Sequence, residues 1–211
     1  MRKITALRVE RGRRKRVKIA LDGKSAFSVE AEVAAKEGLQ IGQLLSEDQI
    51  EALARSDHYH RCLNAAVHYL SYRPRSESEL KERLRQRGFD DDTQEAVRTR
   101  LKELGLVDDM AFAQFWKDNR ESFSPRSRRL TRLELRQKGI ANDIIDQVVD
   151  AIDDDDSAYR AALSKARSLP RSDYQRFRRR LGEYLKRRGF SYGVINNTVE
   201  RLWQDQVSSA S

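Results

Sequence analysis

The sequence has little of the residues that brace or interrupt small folds: one cysteine, three prolines and ten glycines in 211 positions. A single thiol, Cys62, excludes an intramolecular disulfide framework and is typical of a reducing compartment. Long apolar runs are also missing. None approaches the roughly 20 residues that cross a bilayer, and the basic N-terminus lacks the apolar stretch of a signal peptide. We therefore expect a cytoplasmic protein with no membrane partner.

Charge, by contrast, is abundant and unbalanced. Lysine and arginine number 42 against 33 aspartates and glutamates, which gives a net charge of +9 and a pI near 9.8. A cationic surface attracts polyanions and releases their counterions, so this composition predicts a nucleic acid or a nucleic-acid assembly as partner. The apolar fraction of 38% is nearly matched by 36% charged residues, which favours a thin or extended core.

The first thirty residues carry a pattern typical of strands. Apolar residues partly alternate in three short runs, and Asp22-Gly23 between the second and third runs is a strong signal for a two-residue hairpin turn. Residues 1–30 are therefore predicted to form a small N-terminal β-hairpin or meander. Beyond them the periodicity becomes helical and strands do not return. Gly38 is expected to end a first helix and Ser46 to cap the next, within linking helices at 31–56.

A segment of similar composition recurs three times beyond residue 60, and in each copy basic residues precede a glycine. Successive glycines are 51 and 50 residues apart; the copies are Leu80–Phe89 with Gly88, Leu135–Ile140 with Gly139, and Leu185–Phe190 with Gly189. A glycine after basic residues is the natural end of a helix, and a fixed period of this size indicates a repeat array. The pattern predicts a mainly α fold of tandem three-helix repeats in an elongated, curved array, with repeats at 57–107, 108–153 and 154–207.

Two basic clusters are candidate binding surfaces. The first surrounds the turn after the first strand and contributes Arg13, Arg14, Lys15 and Arg16 as candidates. A projecting hairpin with these charges could reach a phosphate backbone or an acidic protein groove. A solvated turn that protects the sheet edge explains them equally well, so both interpretations stand.

The second cluster lies on a helix predicted near residues 176–188. Phe177, Leu181, Tyr184 and Leu185 recur at helical spacing as a buried stripe, which turns the cations outward. Burial of the stripe does not account for so much charge, which favours binding over solubility. The candidates here are Arg178, Arg179, Arg180, Lys186, Arg187 and Arg188, and smaller groups in the other repeats, namely Arg83, Arg87, Arg128, Arg129 and Arg132, extend a discontinuous basic track.

Two clusters invite a metal-site interpretation. Asp153–Asp156 could hold a divalent cation, but the spacing and glycine of a calcium loop are absent, and aspartates are favourable at a helix start. His58, His60 and Cys62 lack a second ligand pair, which favours polar residues at a helix start and a buried thiol. No phosphate-binding loop or nucleophile–base pair is present either. We predict no catalytic residue, no metal and no cofactor.

Several strings, in order and at the repeat spacing, resemble the RecX family of regulators of the RecA recombinase. Arg73–Leu80 leading to Arg87-Gly88-Phe89 is similar to the first-repeat motif of that family. Leu106–Asp109 with Phe112-Ala113, and then Glu134–Ile140, is similar to the second-repeat motif. The resemblance covers nearly the whole chain.

The resemblance implies a non-enzymatic regulator of homologous recombination and DNA repair. Such a protein lies in the groove of the RecA filament on single-stranded DNA, bridges protomers, and suppresses ATP hydrolysis and strand exchange. It implies a monomer whose partners are RecA and single-stranded DNA, with double-stranded DNA also open. Some relatives assist recombination, so the sign of regulation stays open, as does end capping against groove binding. The composition alone also allows a stand-alone DNA-binding protein or, less readily, a nuclease that uses the aspartates.

Overall fold

The structure, a computed structural model, describes residues 1–10, 15–170 and 173–208, and within these ranges the chain forms four strands and ten helices. It divides into two compact units, Met1–Arg73 with Leu80–Leu106 and Pro74–Glu79 with Val107–Ser211. Among the described residues, no helix combines the length and apolarity that a membrane crossing requires. The predicted fold class, tandem three-helix repeats behind a small N-terminal sheet, is confirmed.

An antiparallel sheet occupies the N-terminal region. Its strands lie in the order β3-β2-β1-β4 and are β1 (Arg2–Glu10), β2 (Arg16–Leu21), β3 (Lys24–Glu30) and β4 (Leu44–Leu45). Between β2 and β3, Asp22 and Gly23 have positive φ angles of 52° and 80°, as a two-residue hairpin turn of this kind requires. The predicted hairpin is confirmed.

The fourth strand corrects the expectation that strands do not return after residue 30. β4 is only two residues long and pairs with Arg2 and Lys3 at the start of β1. A strand this short carries no alternation that could reveal it in the sequence. It lies on the edge of β1 opposite β2, where it pairs backbone groups that would otherwise be left without partners.

Two helices follow in the first unit, α1 (Ala31–Lys36) and α2 (Glu47–Leu70). Gly38, with φ +60°, follows the end of α1, and Ser46 and Gln49 form the predicted capping box at the start of α2. No glycine or proline interrupts α2, so the helix continues through the boundary predicted at residue 57. The histidines and Cys62 therefore lie inside a helix and not, as expected, at its start.

Each repeat is built from three helices. The first uses the second half of α2 with α3 (Glu77–Gln86) and α4 (Asp91–Glu103); the second, α5 (Asp109–Phe123), α6 (Arg128–Gln137) and α7 (Asn142–Val149); the third, α8 (Asp154–Arg167), α9 (Tyr174–Arg187) and α10 (Tyr192–Ser208). The second and third repeats each have an apolar core of their own. The middle helices α3, α6 and α9 are followed by Gly88, Gly139 and Gly189, with φ angles of 79°, 78° and 88°. The period seen in the sequence is thus the period of the helical unit.

A buried carboxylate braces the entry to α6. Glu134 accepts hydrogen bonds from the indole N–H of Trp116 and the Nε of Arg120, both at 2.8 Å, and from Arg126. Burial lowers the pKa of both arginines below the usual guanidinium value. Removing one partner of such a group leaves the others unpaired, so the cluster fixes the segment that leads into Ser127.

The start of one middle helix lies against the end of another at two places in the second unit. The hydroxyl of Ser76, the residue before α3, donates to the carbonyl of Lys138 at 2.7 Å, and the Lys138 ammonium pairs with Glu79 at 2.6 Å. At the next place, the N–H of Ser127, which caps α6, donates to the carbonyl of Arg188 at 3.1 Å. We call these contacts the first and second joints.

Glycine is required at both joints for space as well as for backbone conformation. A Cβ on Gly139 would lie 2.4 Å from the Cβ of Ser78, and one on Gly189 would lie 2.5 Å from the hydroxyl of Ser127. A Cβ on Gly88 would meet nothing within 4 Å. Gly88 and Gly139 therefore have nearly the same φ angle but differ in the space around them.

This difference predicts unequal costs for the same substitution. Gly88→Ala and Gly139→Ala both force alanine into the left-handed region, at about 1–2 kcal/mol. Gly139→Ala also crowds a neighbouring backbone-anchored atom, which adds about 1–3 kcal/mol. Urea unfolding followed by circular dichroism measures both.

The part of the cost that comes from crowding at Gly139 can be tested separately. Ser78→Gly removes the atom that the new methyl group would strike, so Gly139→Ala should cost much less in that background. An equal cost with and without Ser78→Gly, or an equal cost at Gly88 and Gly139, would show that space at the joint is not the constraint.

Candidate nucleic-acid interface

Among the residues that the structure describes, exposed cations are concentrated on α9. Asp173 caps this helix by accepting from the backbone N–H of Arg176 at 2.9 Å. Phe177, Leu181 and Leu185 are fully buried in the core of the third repeat, as the spacing predicted, with Tyr184 partly buried beside them. The cations occupy the rest of the helix surface, where Arg178, Arg179, Arg180, Lys186 and Arg187 are all exposed.

Part of this surface forms the wall of a groove against the start of α10. The groove has a volume of about 430 Å³ and is lined by Gln175, Arg178, Arg179, Gly182, Glu183, Lys186, Tyr192, Ile195 and Asn196. At Gly182 a Cβ would meet only the side chain of Ile195, at 3.7 Å. The missing side chain leaves an apolar floor between Arg178, Arg179 and Lys186, and Glu183 is the one carboxylate of the lining, so the rim carries a net positive charge suited to a phosphate backbone.

An exposed aromatic ring stands at one end of the groove. Tyr192 is 72% exposed, and its hydroxyl lies 3.5 Å from a guanidinium nitrogen of Arg178. A hydrogen bond from Asn196 and the positive charge of Arg178 lower the pKa of Tyr192 below the usual phenol value. A ring held beside arginines can stack on an unpaired base while the cations contact phosphates.

Most of the charge of α9 is not paired with any carboxylate of the described residues. Glu183 is the helix's one acidic residue, and no described carboxylate lies within ion-pair distance of Arg178, Arg179, Arg180 or Lys186. Arg188 is the exception among the predicted residues of this cluster, since its guanidinium lies 4.3 Å from the ring centre of Tyr184. The unpaired cations keep their field available to a partner.

The predicted cations of the second repeat are mostly occupied. Arg128 donates to the carbonyls of Asp150 and Ile152, at 3.2 and 2.8 Å, and so covers the end of α7. Arg132 pairs with Asp146 at 2.9 Å. Arg129 is exposed and makes no hydrogen bond or ion pair with any described residue. This part of the predicted track is therefore weaker than the sequence suggested.

The predicted cations of the first unit also differ in their freedom. Arg16 pairs with Asp57 at 3.2 Å and ties β2 to α2, and Arg83 lies over the ring of Tyr69 at 5.7 Å. Lys15 and Arg87 are exposed and line a common pocket. The other two members of the hairpin cluster, Arg13 and Arg14, lie outside the described residues.

The acidic run that invited a metal interpretation starts a helix, as predicted. Asp153 caps α8 by accepting from the N–H groups of Asp155 and Asp156, at 2.9 and 3.2 Å, and Asp154 accepts from the N–H of Arg128 at 2.7 Å. Within the described residues, no group of three histidines, cysteines or carboxylates is placed to hold a metal ion. These aspartates are used in hydrogen bonds that start α8 and α6.

The histidines and the thiol of α2 have separate roles. His58 hydrogen-bonds Asp90 at 2.7 Å, and His68 hydrogen-bonds Tyr72 at 3.2 Å. Cys62 is buried, and burial together with the charge of Asp90 raises the pKa of its thiol to about 12. A thiol of that pKa stays protonated near neutral pH, which makes it a poor nucleophile.

Sequence reasoning missed Tyr192 and the groove floor. The available signal was Gly182, because glycine inside a helix costs about 1 kcal/mol relative to alanine and needs a reason such as a groove or a close approach. It also missed that every proline of the chain opens the same tripeptide, Pro-Arg-Ser, at 74–76, 125–127 and 170–172. The first two copies form the joints.

Comparisons with known proteins agree with the helical repeats. Three family models, for the first, second and third three-helix domains of RecX, match residues 62–101, 108–149 and 153–199. A "Regulatory protein RecX" of Clostridium perfringens (strain 13 / Type A) is 28% identical over 212 residues, covering 98% of this chain and 99% of that protein. One of Clostridium botulinum (strain Eklund 17B / Type B) is 29% identical over 206 residues, with 95% and 96% coverage.

Solved structures are similar as well. A crystal structure of regulatory protein RecX has a TM-score of 0.67 and 28% identity, covering 93% of this chain and 98% of that one. A structure of RecX from Lactobacillus salivarius has a TM-score of 0.60 and covers 70% of this chain and 97% of that one. Its identity is 24%, so this second likeness concerns the fold.

If the cations of α9 contact phosphates, reversing them should weaken DNA binding. For Arg178→Glu with Arg179→Glu and Arg180→Glu, we expect at least about tenfold weaker binding of a labelled single-stranded oligonucleotide. The slope of log affinity against log salt should fall by about 2, because each phosphate contact on a single strand contributes roughly 0.7. Fluorescence anisotropy across a salt series measures both.

A matched variant separates a local contact from overall charge. Lys24→Glu with Arg61→Glu and Lys81→Glu makes the same change in net charge at exposed positions far from α9 in sequence. Similar losses in the two triple variants would show that no defined site exists on α9, provided that circular dichroism finds both folded.

Proposed function

The chain belongs to the RecX family, and from this membership and the unpaired cations of α9 we propose that it is a non-enzymatic regulator of the RecA recombinase. In this proposal it binds in the groove of the RecA–DNA filament and inhibits ATP hydrolysis and strand exchange. Its partners are RecA and the single-stranded DNA within the filament, and it acts in the cytoplasm as a monomer in the service of DNA repair and recombination.

The observation that carries the proposal is the contrast between paired and unpaired cations. Arg128 and Arg132 hold the second repeat together. Arg178 and Arg179, by contrast, line a groove beside an exposed ring, and Arg180 is exposed on the same helix. A nucleoprotein filament presents phosphates along its axis, and cations that are free to release phosphate counterions gain the most from reaching them.

Repetition suits a long, regular partner. Three similar units joined in one chain bind with a high effective concentration once the first unit is engaged, so individually weak contacts add to a useful affinity. Arg129 and Lys15 supply further exposed charge outside α9. A chain that contacts more than one protomer would favour one filament state over others, and only that differential binding can change the hydrolysis rate.

The decisive experiment titrates the protein into RecA engaged in DNA-dependent ATP hydrolysis. We expect the rate to fall as the protein approaches a ratio at which it can occupy the groove. The α9 triple variant should require at least about tenfold more protein, and the matched triple variant should act like the original chain. An ATPase rate unaffected by the original chain, both near stoichiometry and at filament-end ratios, would contradict the proposal.

A stand-alone DNA-binding protein is the second candidate, favoured by the same charged face of α9. It predicts salt-sensitive binding of bare DNA together with no change in RecA turnover beyond what competition for DNA explains. Adding the protein after the filament has formed distinguishes the two. A regulator acts on the preformed filament, whereas a competitor for bare strands acts only when it is added first.

A further inference from the structure

The two joints show what the end of a middle helix receives in this chain. The first joint places Ser76 on the carbonyl of Lys138 and Glu79 on its ammonium group, with Gly139 leaving room for Ser78. The second joint places Ser127 on the carbonyl of Arg188 beside Gly189. In each, a serine that starts one helix occupies the carbonyl and glycine that end another.

The first repeat has the same helix end without an occupant. Arg87 and Gly88 stand 51 residues before Lys138 and Gly139. Among the described residues, nothing lies within 4 Å of a Cβ built on Gly88, and no backbone or side-chain donor bonds to the carbonyl of Arg87. The chain therefore repeats the receiving surface three times and fills it, within the described residues, twice.

A pocket of about 690 Å³ adjoins this empty helix end. It is lined by Lys15, Glu30, Ala31, Glu32, Asn64, His68 and Arg87. Glu30 is only 5% exposed, and Asn64 donates to one of its carboxylate oxygens. The other oxygen is buried and accepts no hydrogen bond from the described part of the chain. A buried carboxylate oxygen without a donor costs free energy, so an occupant that brings a donor is favoured.

We propose that the pocket beside Arg87 and Gly88 is a docking site for the first turn of a helix from a separate protein partner. The occupant has the pattern Arg-Ser-x-x-Glu. Its serine hydroxyl donates to the carbonyl of Arg87, and its glutamate pairs with the guanidinium of Arg87, as Ser76 and Glu79 do with Lys138. The arginine before its serine donates to Glu30 after rotation of that carboxyl group.

Charge complementarity selects this occupant over a nucleic acid. The walls combine cations, Lys15 and Arg87, with acidic Glu30 and Glu32, and a phosphate backbone would be repelled by the carboxylates. A helix start that carries one arginine and one glutamate can pair with the acidic and with the basic residues of the pocket. Arg87, included by its charge among the DNA-contacting candidates, is thereby assigned to a protein contact.

The chain's own segment 73–86 supplies a probe, because its start already makes the equivalent contact at the first joint. A fluorescein-labelled peptide of that sequence, added to the full chain, should bind saturably by anisotropy. Arg87→Glu should weaken binding at least about tenfold, as loss of a charge-assisted pair predicts. A peptide with Glu79→Arg should recover the affinity on the Arg87→Glu protein.

Two further variants keep the test specific. Gly88→Asn tolerates the positive φ angle but adds a side chain where the first turn of the occupant should lie, as Ser78 lies against Gly139, so it should also weaken peptide binding. Lys81→Glu changes an exposed charge nearby on α3 and should leave the affinity within about twofold, as expected for a residue outside the contact.

The outcomes that overturn the proposal are equally defined. Absence of saturable binding would refute it, and so would binding that survives both Arg87→Glu and Gly88→Asn. Sedimentation of the chain without peptide tests a second copy as occupant. A concentration-dependent dimer that Arg87→Glu abolishes would replace the separate partner and contradict the proposal as stated. None of these measurements uses RecA or DNA, so their outcomes do not depend on whether the proposed function is correct.

Discussion

The last carbonyl groups of a helix have no hydrogen-bond donor within the helix, and the first N–H groups have no acceptor there. Both sets of groups need partners from outside the helix, and the capping residue also needs space. In this chain the two needs meet at the joints, where a serine that starts one middle helix lies on the last carbonyl of another. Glycine makes the approach possible, since a methyl group at Gly139 or Gly189 would overlap the serine-bearing turn. The spacing of the glycines in the sequence therefore reflects a packing constraint. The basic residues near these glycines are placed by helices whose positions the backbone contacts already determine.

That frame decides which cations are available. Arginines near a helix end are drawn to its carbonyls, as Arg128 is to the end of α7, and those near an acidic turn are drawn to carboxylates, as Arg132 is to Asp146. Arg178, Arg179 and Arg180 have neither kind of neighbour among the described residues, because they lie along the middle of a helix whose other side is core. The net charge of +9 is thus distributed unevenly over the surface. The area whose cations are free to bind phosphates is smaller than the net charge alone would suggest.

Much of this could be predicted where a pattern spans many residues. The repeats, the helix start at Ser46, the hairpin at Asp22-Gly23 and the buried stripe of α9 all follow from local chemistry or from a pattern repeated at a fixed period. What escaped prediction depends on partners distant in sequence. β4 pairs with the edge of β1 that β2 does not cover, and the groove at Gly182 needs the start of α10 beside it. Arg128 and Arg132 are paired with aspartates up to 22 residues away in the sequence. At that separation the pattern of charges in the sequence does not show which residues will pair.

The terminal repeats of an array differ from the inner ones because they lack a neighbour on one side, and such surfaces must be capped by other structure or kept for partners. Polar residues cap such a surface at little cost, but they do not leave a buried carboxylate oxygen without a donor or a glycine facing open space. Here one oxygen of Glu30, at the end of β3, is buried without a described donor, and Gly88 faces open space at the one middle-helix end that has no described occupant. Open space beside an unoccupied helix end is what a docking surface requires, and here it lies on a different repeat from the exposed cations of α9.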